Sequence, residues 1–531
     1  MAVDLYIIAP ILIGGALIAK FAERYRFPYP IPLIIAGLIL GRVMPIGSVY
    51  GEVVGLDLIA QLTLATVLFY AGLTMNVREL RFSLTSVMLL ATLGVVITSL
   101  VAGVTIALFS TIGVMAFVIG AILSPTDPAA LFSVLETGGV RVKRRLFSIL
   151  EGEAVFNDAT SVVLVITVFM PLVIPALSVP WYIVLEEFFL SMVIGVLTGF
   201  GIAHIIGRAI VRSAEDTTTI LTATTPILAY GLGELFAQFG VHPGALASVF
   251  AGIFMANARR LGMEPLPQKS MRGAMKNVSF AFEIVVFILL GATVDLDYLM
   301  TDVNLVLLGL LTAVLVILVA RPVAVFLVTA HDRNIGWRDR FFVSWAGVKG
   351  VASAALAAIV VSAITSHAIE GFEEAGRLIN SIVFVVLMSS LLLQGLTTPY
   401  LAKWLDLVEP HDAATEITAQ RDATRQALLH LVDLYTEGKI DAALYSRLKA
   451  ELEEEIFRLE DELRQYVSEK RARLRELEIR EEVLRTKLEH FRSLYESGKI
   501  SDSVYENQVR EIETEIEEIM NRRRSLQQGM M

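Results

Sequence analysis

The sequence predicts an all-α, polytopic membrane protein of about thirteen transmembrane helices followed by a charged helical tail, and three observations carry that expectation. The 531 residues are 55% hydrophobic, with a mean hydropathy of +0.65. Soluble domains are usually nearer roughly 45–50% apolar. Uncharged stretches, each long enough to cross a hydrocarbon core of roughly 30 Å, recur to about residue 402. Charge then concentrates: residues 1–410 carry 24 Lys+Arg and 27 Asp+Glu, whereas residues 411–531 carry 20 and 27. The chain changes solvent there, so a transmembrane domain over 1–405 gives way to a helical tail over 411–531.

Taken in order, the apolar spans are 4–22, 30–44, 57–75, 84–109, 113–136, 146–170, 180–207, 217–237, 243–258, 275–294, 303–330, 340–362 and 379–402. One set of alternate loops holds eighteen Lys and Arg residues, from Arg24, Arg26, Arg81 and Arg141 to Arg340. The other set holds Arg42 and Arg377. Basic loops stay on the cytoplasmic side, which puts the N-terminus outside and the tail in the cytoplasm of a cell-membrane protein. Met1-Ala-Val-Asp lacks the basic start of a cleaved signal, so the first span reads as a retained helix. Neither part is basic overall, which excludes nucleic acid as a partner. There are no cysteines, so disulfides, thiolate metal sites and Cys nucleophiles are excluded.

The tail repeats itself. Leu434-Tyr-Thr-Glu-Gly-Lys-Ile-Asp441 recurs as Leu494-Tyr-Glu-Ser-Gly-Lys-Ile-Ser501, with Tyr445 and Tyr505 in register. Each Gly suits the residue just past a helix, and Asp441 or Ser501 suits the next N-cap. Apolar residues at three-to-four spacing within dense charge then read as helical hairpins or coiled coil. Such a tail assists solubility or dimerisation, or senses an ion or a regulatory partner. It has no phosphate-binding glycine motif.

Acidic residues inside apolar helices are costly, so each is a candidate for function. In Ser124-Pro-Thr-Asp-Pro128, Pro125 and Pro128 flank Thr126 and Asp127 in mid-span. Proline removes a backbone donor and disfavours helix in the residue before it. Two of them should unwind the helix and free carbonyls beside a carboxylate, an arrangement tolerated in a membrane only where it lines a site. The second stretch is Glu151-Gly-Glu-Ala-Val-Phe-Asn-Asp-Ala-Thr-Ser161. Helical spacing brings Glu153, Asn157, Asp158 and Ser161 within reach of one face. Asp127 and Asp158, with Thr and Ser hydroxyls and freed carbonyls, form a hard oxygen site for a small alkali cation. No His or Cys lies nearby to suit zinc or copper. Because burial favours the protonated carboxyl and a bound cation favours the ionised one, the same oxygens can hold either Na⁺ or H⁺. The plainer alternatives are a kinked helix with an incidental Asp127, and an Asp158 paired with a base.

Three further charges lie in spans. Glu283 and Arg321 are expected to form an internal ion pair that reduces the cost of burying both. Lys349, in Trp345-Ala-Gly-Val-Lys-Gly-Val-Ala-Ser353, reads as compensating a broken helix end, or else as snorkelling to the cytoplasmic surface.

These residues resemble the cation–proton antiporters of the NhaP type, relatives of eukaryotic sodium–proton exchangers. Ser124-Pro-Thr-Asp-Pro128, Asn157-Asp158 with Glu153 before it, Phe287-Ile-Leu-Leu-Gly291 and Gly347-Val-Lys-Gly350 fit that family in order and spacing. The resemblance covers about residues 1–405. It implies a homodimer whose ion-carrying cores are built from inverted repeats with crossing discontinuous helices, working by alternating access. It implies Asp127 and Asp158 as Na⁺ ligands and Thr126 as an oxygen donor. Glu153 becomes a nearby or water-mediated ligand, and Asn157 a structural member held by the Glu283–Arg321 region. An Asn before the aspartate resembles the electroneutral branch, hence one cation per proton. Ala154, where the family often has Ser, and Lys349, where it has Arg, bear on the choice among Na⁺, Li⁺ and K⁺. No cofactor and no enzyme chemistry are expected. A cation channel lacks a filter-like carbonyl repeat, and the absent dinucleotide fingerprint opposes nucleotide-regulated potassium efflux. K⁺ as the exchanged ion survives.

Overall fold

The computed structural model describes residues 5–25, 27–43, 56–75, 77–80, 83–137, 140, 142–174, 180–366, 372–408, 413–497 and 499–528. Arg26, Arg81 and Arg141 of the basic loops, and Gly498 of the second tail turn, lie outside them. The chain divides into two compact units, Met1–Glu409 and Pro410–Met531.

The first unit is helical. Its elements are α1 (Leu5–Arg24), α2 (Pro30–Val43), α3 (Leu56–Thr74), α4 (Leu84–Phe109), α5a (Met115–Ile122) and α5b (Pro128–Thr137). There follow α6 (Arg145–Val173), α7 (Trp181–Val211), α8 (Asp216–Phe239), α9 (Gly244–Ala256), α10 (Gln268–Thr293) and α11 (Val303–His331). The last are α12a (Trp337–Trp345), α12b (Val351–Ser366) and α13 (Glu374–Trp404). Among the described residues, eight helices are long and apolar enough to cross a membrane, and α1, α2, α9 and α12b are shorter apolar helices. With the broken α5 they match the thirteen expected segments in order.

Proline shapes several of these helices. A π-turn occupies 164–169 in α6, 316–320 in α11 and 391–395 in α13. Each lies one turn before a proline: Pro171, Pro322 and Pro399. The ring crowds the carbonyl four residues back and supplies no N–H, so the ladder widens there. The π-turn at 90–94 in α4 has no proline after it, and nothing in the structure explains it.

Small residues set the closest helix contacts. A Cβ on Gly37 of α2 would overlap the Ile288 carbonyl of α10, and one on Gly291 would overlap the Ile34 carbonyl. Such close approach is how helices associate where no water is expelled. It seats the start of α2 directly on the face of α10 that bears Glu283.

The second unit is three helices: α14 (Ala413–Thr436), α15 (Ala442–Glu496) and α16 (Asp502–Gln528). Helix α15 has 55 residues and spans about 80 Å at 1.5 Å per residue. Its two turns are built alike. Gly438 adopts φ +72°, and the Lys439 and Lys499 amides each donate 3.0 Å back to the carbonyls of Leu434 and Leu494. Asp441 caps α15 by accepting from the Leu444 amide at 2.7 Å. Tyr435 stacks on Tyr445 at 4.4 Å and Tyr495 on Tyr505 at 4.5 Å. The sequence repeat is therefore a repeated helical hairpin sharing one long helix.

Candidate cation site at two broken helices

The helix break between α5a and α5b meets the break between α12a and α12b. Leaving α5a, the backbone is non-helical over 125–127, as Pro125 and Pro128 require, and Pro128 opens α5b. The Asp127 amide donates 2.7 Å to the Val348 carbonyl in the other break. The Asp127 carboxylate divides its two oxygens between two helix starts. Oδ1 accepts from the Ala130 amide of α5b at 3.0 Å, and Oδ2 accepts from the Val351 amide of α12b at 3.1 Å. A carboxylate is favoured at each of these positive helix ends. Gly350 makes the approach possible, since a Cβ there would fall inside the Asp127 carboxylate.

Lys349 answers from the opposite side. Its Nζ donates 3.1 Å to the Ser124 carbonyl and 3.1 Å to that of Pro125. These are the acceptors freed when α5a stops. The side chain is 1% exposed, so it compensates a broken helix end and does not snorkel. The carbonyls that the prolines freed are thus held by Lys349. Helix α13 completes the second break: Ser390 Oγ accepts from the Lys349 amide at 2.9 Å, and Gln394 Nε2 donates 2.7 Å to the Trp345 carbonyl. Ser390 and Gln394 were not singled out from the sequence. Lone hydroxyl and amide groups in an apolar span are common, and only tertiary structure shows which of them face a break.

Helix α6 brings the second motif alongside. Asn157 Nδ2 donates 2.7 Å to the Thr126 hydroxyl, and Ser161 Oγ lies 2.9 Å from Ser124 Oγ. The expected cluster of Thr126, Asp127, Asn157, Asp158 and Ser161 therefore assembles across α6 and the first break. Asp158 is buried, and its electrostatic neighbours are Asp127 and Lys349. Its Oδ1 accepts no hydrogen bond from any described group, and neither does Asn157 Oδ1. A buried carboxylate oxygen left this way has a strong need of a cation or a proton.

The expected Glu283–Arg321 pair does not form. Arg321, 2% exposed, donates from Nη1 to Glu153 Oε1 and from Nη2 to the Val343 carbonyl at 3.3 Å. It lies across Gly347, where a Cβ would meet the guanidinium. The reason is placement: the π-turn before Pro322 sets Arg321 toward α6 and α12a. Glu153, expected as a nearby ligand, is thereby engaged by a base. Asn157 is held by Thr126 and not by the Glu283–Arg321 region. Glu283 sits elsewhere on α10, accepting from Tyr29 OH at 2.6 Å and Ser279 Oγ at 3.1 Å.

Comparison with known proteins gives this arrangement a context. The family description "sodium/hydrogen exchanger, transmembrane" matches residues 8–404, and a CdvA-like coiled-coil domain matches 412–530. The Na(+)/H(+) antiporter ApNhaP of Aphanothece halophytica is 28% identical over 443 residues, covering 80% of this chain and 79% of that protein. The K(+)/H(+) antiporter NhaP2 of Shewanella oneidensis is 28% identical over 384 residues, 72% of this chain and 63% of that one. Among solved structures, the sodium proton antiporter MjNhaP1 from Methanocaldococcus jannaschii superposes with a TM-score of 0.66 at 24% identity. It covers 74% of this chain and all of that chain, and shows a shared fold. Two crossing broken helices with a carboxylate-bearing neighbour, in a chain matched over 8–404, identify this multi-pass membrane protein as a member of the sodium/hydrogen exchanger family.

Proposed function

We propose that the chain exchanges Na⁺ or Li⁺ for H⁺ by alternating access, one cation per proton, with the two competing for Asp127 and Asp158. The observation that carries this reading is Asp158. An ionised carboxylate with an unpartnered oxygen is too costly to leave bare in a membrane interior. It holds either a cation or a proton, so each ion's arrival displaces the other and the two fluxes are coupled. Asp127 supplies the second charge, while Thr126 and Ser161 supply neighbouring oxygens. Lys349, Arg321 and Asn157 hold the breaks and the α6 face in place.

The same reading places the protein in the cell membrane as a homodimer serving pH homeostasis, with its N-terminus outside. The tail is cytoplasmic and assists dimerisation or solubility, with sensing of an ion or a regulatory partner as its alternative role, and no part of the chain carries out enzyme chemistry. Exchange of K⁺ for H⁺ is the second reading, favoured by the K(+)/H(+) antiporters among the relatives.

The test is flux from proteoliposomes with an imposed pH gradient, adding Na⁺, Li⁺ or K⁺ over a pH series. A saturable, strictly proton-coupled response to one ion is expected, and it disappears in Asp158→Asn and Asp127→Asn. Full activity in both variants would sink the assignment. Cation movement without protons would point instead to a channel.

A further inference from the structure

Helix α15 carries apolar residues on two opposite sides of its C-terminal half. On one side Leu477, Leu484, Leu488 and Phe491 are half-buried, and α16 packs along α15 with Ile512, Ile516 and Ile519 buried. On the other side Ile479 is 54% exposed and Val483 60%. Thr486 and His490, also exposed, continue that row at the four-three-four spacing of a coiled-coil seam. Thr486 donates its hydroxyl hydrogen 2.9 Å to the Glu482 carbonyl, which leaves its methyl group for packing. These four residues, with Glu482 and Lys487, line one groove on the surface of the helix.

The hairpin does not need this row. At the matching positions of the first hairpin stand Ala419, Ala423, Gln426 and His430, all exposed, and the same turn forms there. Two branched apolar residues one turn apart, on the outer side of a densely charged helix, make a second seam that can take another helix. The charges beside the row select which helix fits. Glu482 and Lys487 border it on either side, and neither side chain has a hydrogen bond or ion pair among the described residues. Arg485, off the row, is already paired with Glu481 at 2.8 Å. In a parallel pair of helices, the residue just before a seam position faces the residue five further on in its neighbour. Glu482 of each copy of this chain would then meet Lys487 of the other, and each seam residue would pack on its counterpart. An antiparallel pair would set like charges together, Glu482 towards Glu489 and Arg480 towards Lys487. The row is thus its own complement in one orientation, as a two-fold contact requires.

We propose that the outer row of α15, Ile479, Val483, Thr486 and His490, is the surface on which the tails of two copies pair, parallel and in register. The seam runs for only about 18 Å at 1.5 Å per residue, too short to hold two free tails firmly. It acts on chains already joined through their membrane units, where the effective concentration of one tail at the other is high. The inference rests on the homodimer reading and names where in the tail that pairing occurs.

The chain has no cysteine, so a single introduced thiol reports the contact. Full-length Val483→Cys and Arg485→Cys are oxidised with copper phenanthroline in proteoliposomes. A disulfide needs its two Cα atoms within roughly 7 Å, and position 485 lies roughly a third of a turn away from the row. Val483→Cys should cross-link into a dimer roughly tenfold faster than Arg485→Cys. Adding Glu482→Lys or Lys487→Glu alone should slow that cross-link roughly three- to tenfold, and the two together should restore it. Equal rates at the two thiol positions overturn the proposal, and so does a cross-link indifferent to the single charge reversals. A Val483→Cys thiol that neither cross-links nor reacts with maleimide is covered by a different occupant, which overturns it as well. Light scattering in detergent gives the mass of the full chain. A two-chain mass without the Val483→Cys cross-link overturns the seam while the homodimer stands, and a one-chain mass overturns the homodimer reading itself.

Discussion

Where the chain breaks at 123–127 it presents mostly acceptors, and where it breaks at 346–350 it presents mostly donors, with one bond running the other way, from the Asp127 amide to the Val348 carbonyl. The first break offers the Ser124 and Pro125 carbonyls and the Asp127 carboxylate. The second offers the Lys349 ammonium and the Val351 amide. Each is the other's cap. Lys349 sits at the negative C-terminal end of α5a, while Asp127 sits at the positive starts of both α5b and α12b. The difference teaches that the joint is satisfied largely within itself. What it leaves over is Asp158, on a neighbouring unbroken helix, with an oxygen that no described group meets. Asp127 is thus partly architecture, whereas Asp158 is the less encumbered ligand.

The largest effect is expected from Lys349→Met. It strips the donor from two buried carbonyls and the cation from beside Asp158, and should lower stability by about 3–5 kcal/mol. Thermal melting in detergent measures it, and a loss below about 1 kcal/mol would mean that the backbone alone holds the breaks together. The two aspartates should then part company. Asp127→Asn keeps an acceptor for one helix-start amide and turns an NH2 donor toward the other, and should lose about 2 kcal/mol. Asp158→Asn removes an unpartnered buried charge and should be neutral or stabilising, although both variants lose antiport. Equal destabilisation by the two would erase the distinction drawn between them.

Much of this was legible in the sequence, for physical reasons. Thirteen apolar segments announce themselves because a membrane helix must bury its backbone bonds within itself. Pro125 and Pro128 announce the first break because proline acts locally on its neighbours. Lys349 between glycines announced the second. Partners across helices were not legible. Arg321 and Glu283 are lone opposite charges in late spans, and pairing them was the economical reading. Glu153, on a helix 168 residues earlier, is the partner because a π-turn and Gly347 aim the guanidinium there. Tyr29 gave no signal either, since a tyrosine at a helix start is ordinary until α2 is seen lying on α10. The tail repeat was legible because its turns depend on local residues, Gly438 and Asp441.

A smaller effect, and a sharper probe of the joint, is Gly350→Ala. One methyl group placed within the Asp127 carboxylate forces the two breaks apart, which should cost about 1–3 kcal/mol. Because Asp127 is displaced more than Asp158, apparent cation affinity should fall before maximal rate does. Transport kinetics alongside melting curves check this. Unchanged affinity would mean that Asp127 reaches the cation from a different position.

The smallest effect belongs to a charge pair at the end of α11, outside the membrane span, where water is an alternative partner. Arg145 Nη2 donates 2.8 Å to Asp332 Oδ2, and the Asn334 amide donates 3.0 Å to Oδ1. Burial pushes the Asp332 carboxyl up, but the Asn334 amide and the Arg145 guanidinium outweigh it and hold the group below its ordinary value. A depressed acid stabilises the fold at pH above its unfolded value, roughly 3.9, and that contribution is lost as pH falls through the folded value. Asp332→Asn should therefore lower stability by about 1 kcal/mol, evenly from pH 5 to 8. The gap to the parent protein should close only below roughly pH 4. Melting temperatures across that series check it. A gap that closed between pH 5 and 7 would mean that the Asn334 amide and the Arg145 guanidinium do not hold the Asp332 carboxyl down, and the charge pair would carry no stability at this end of α11.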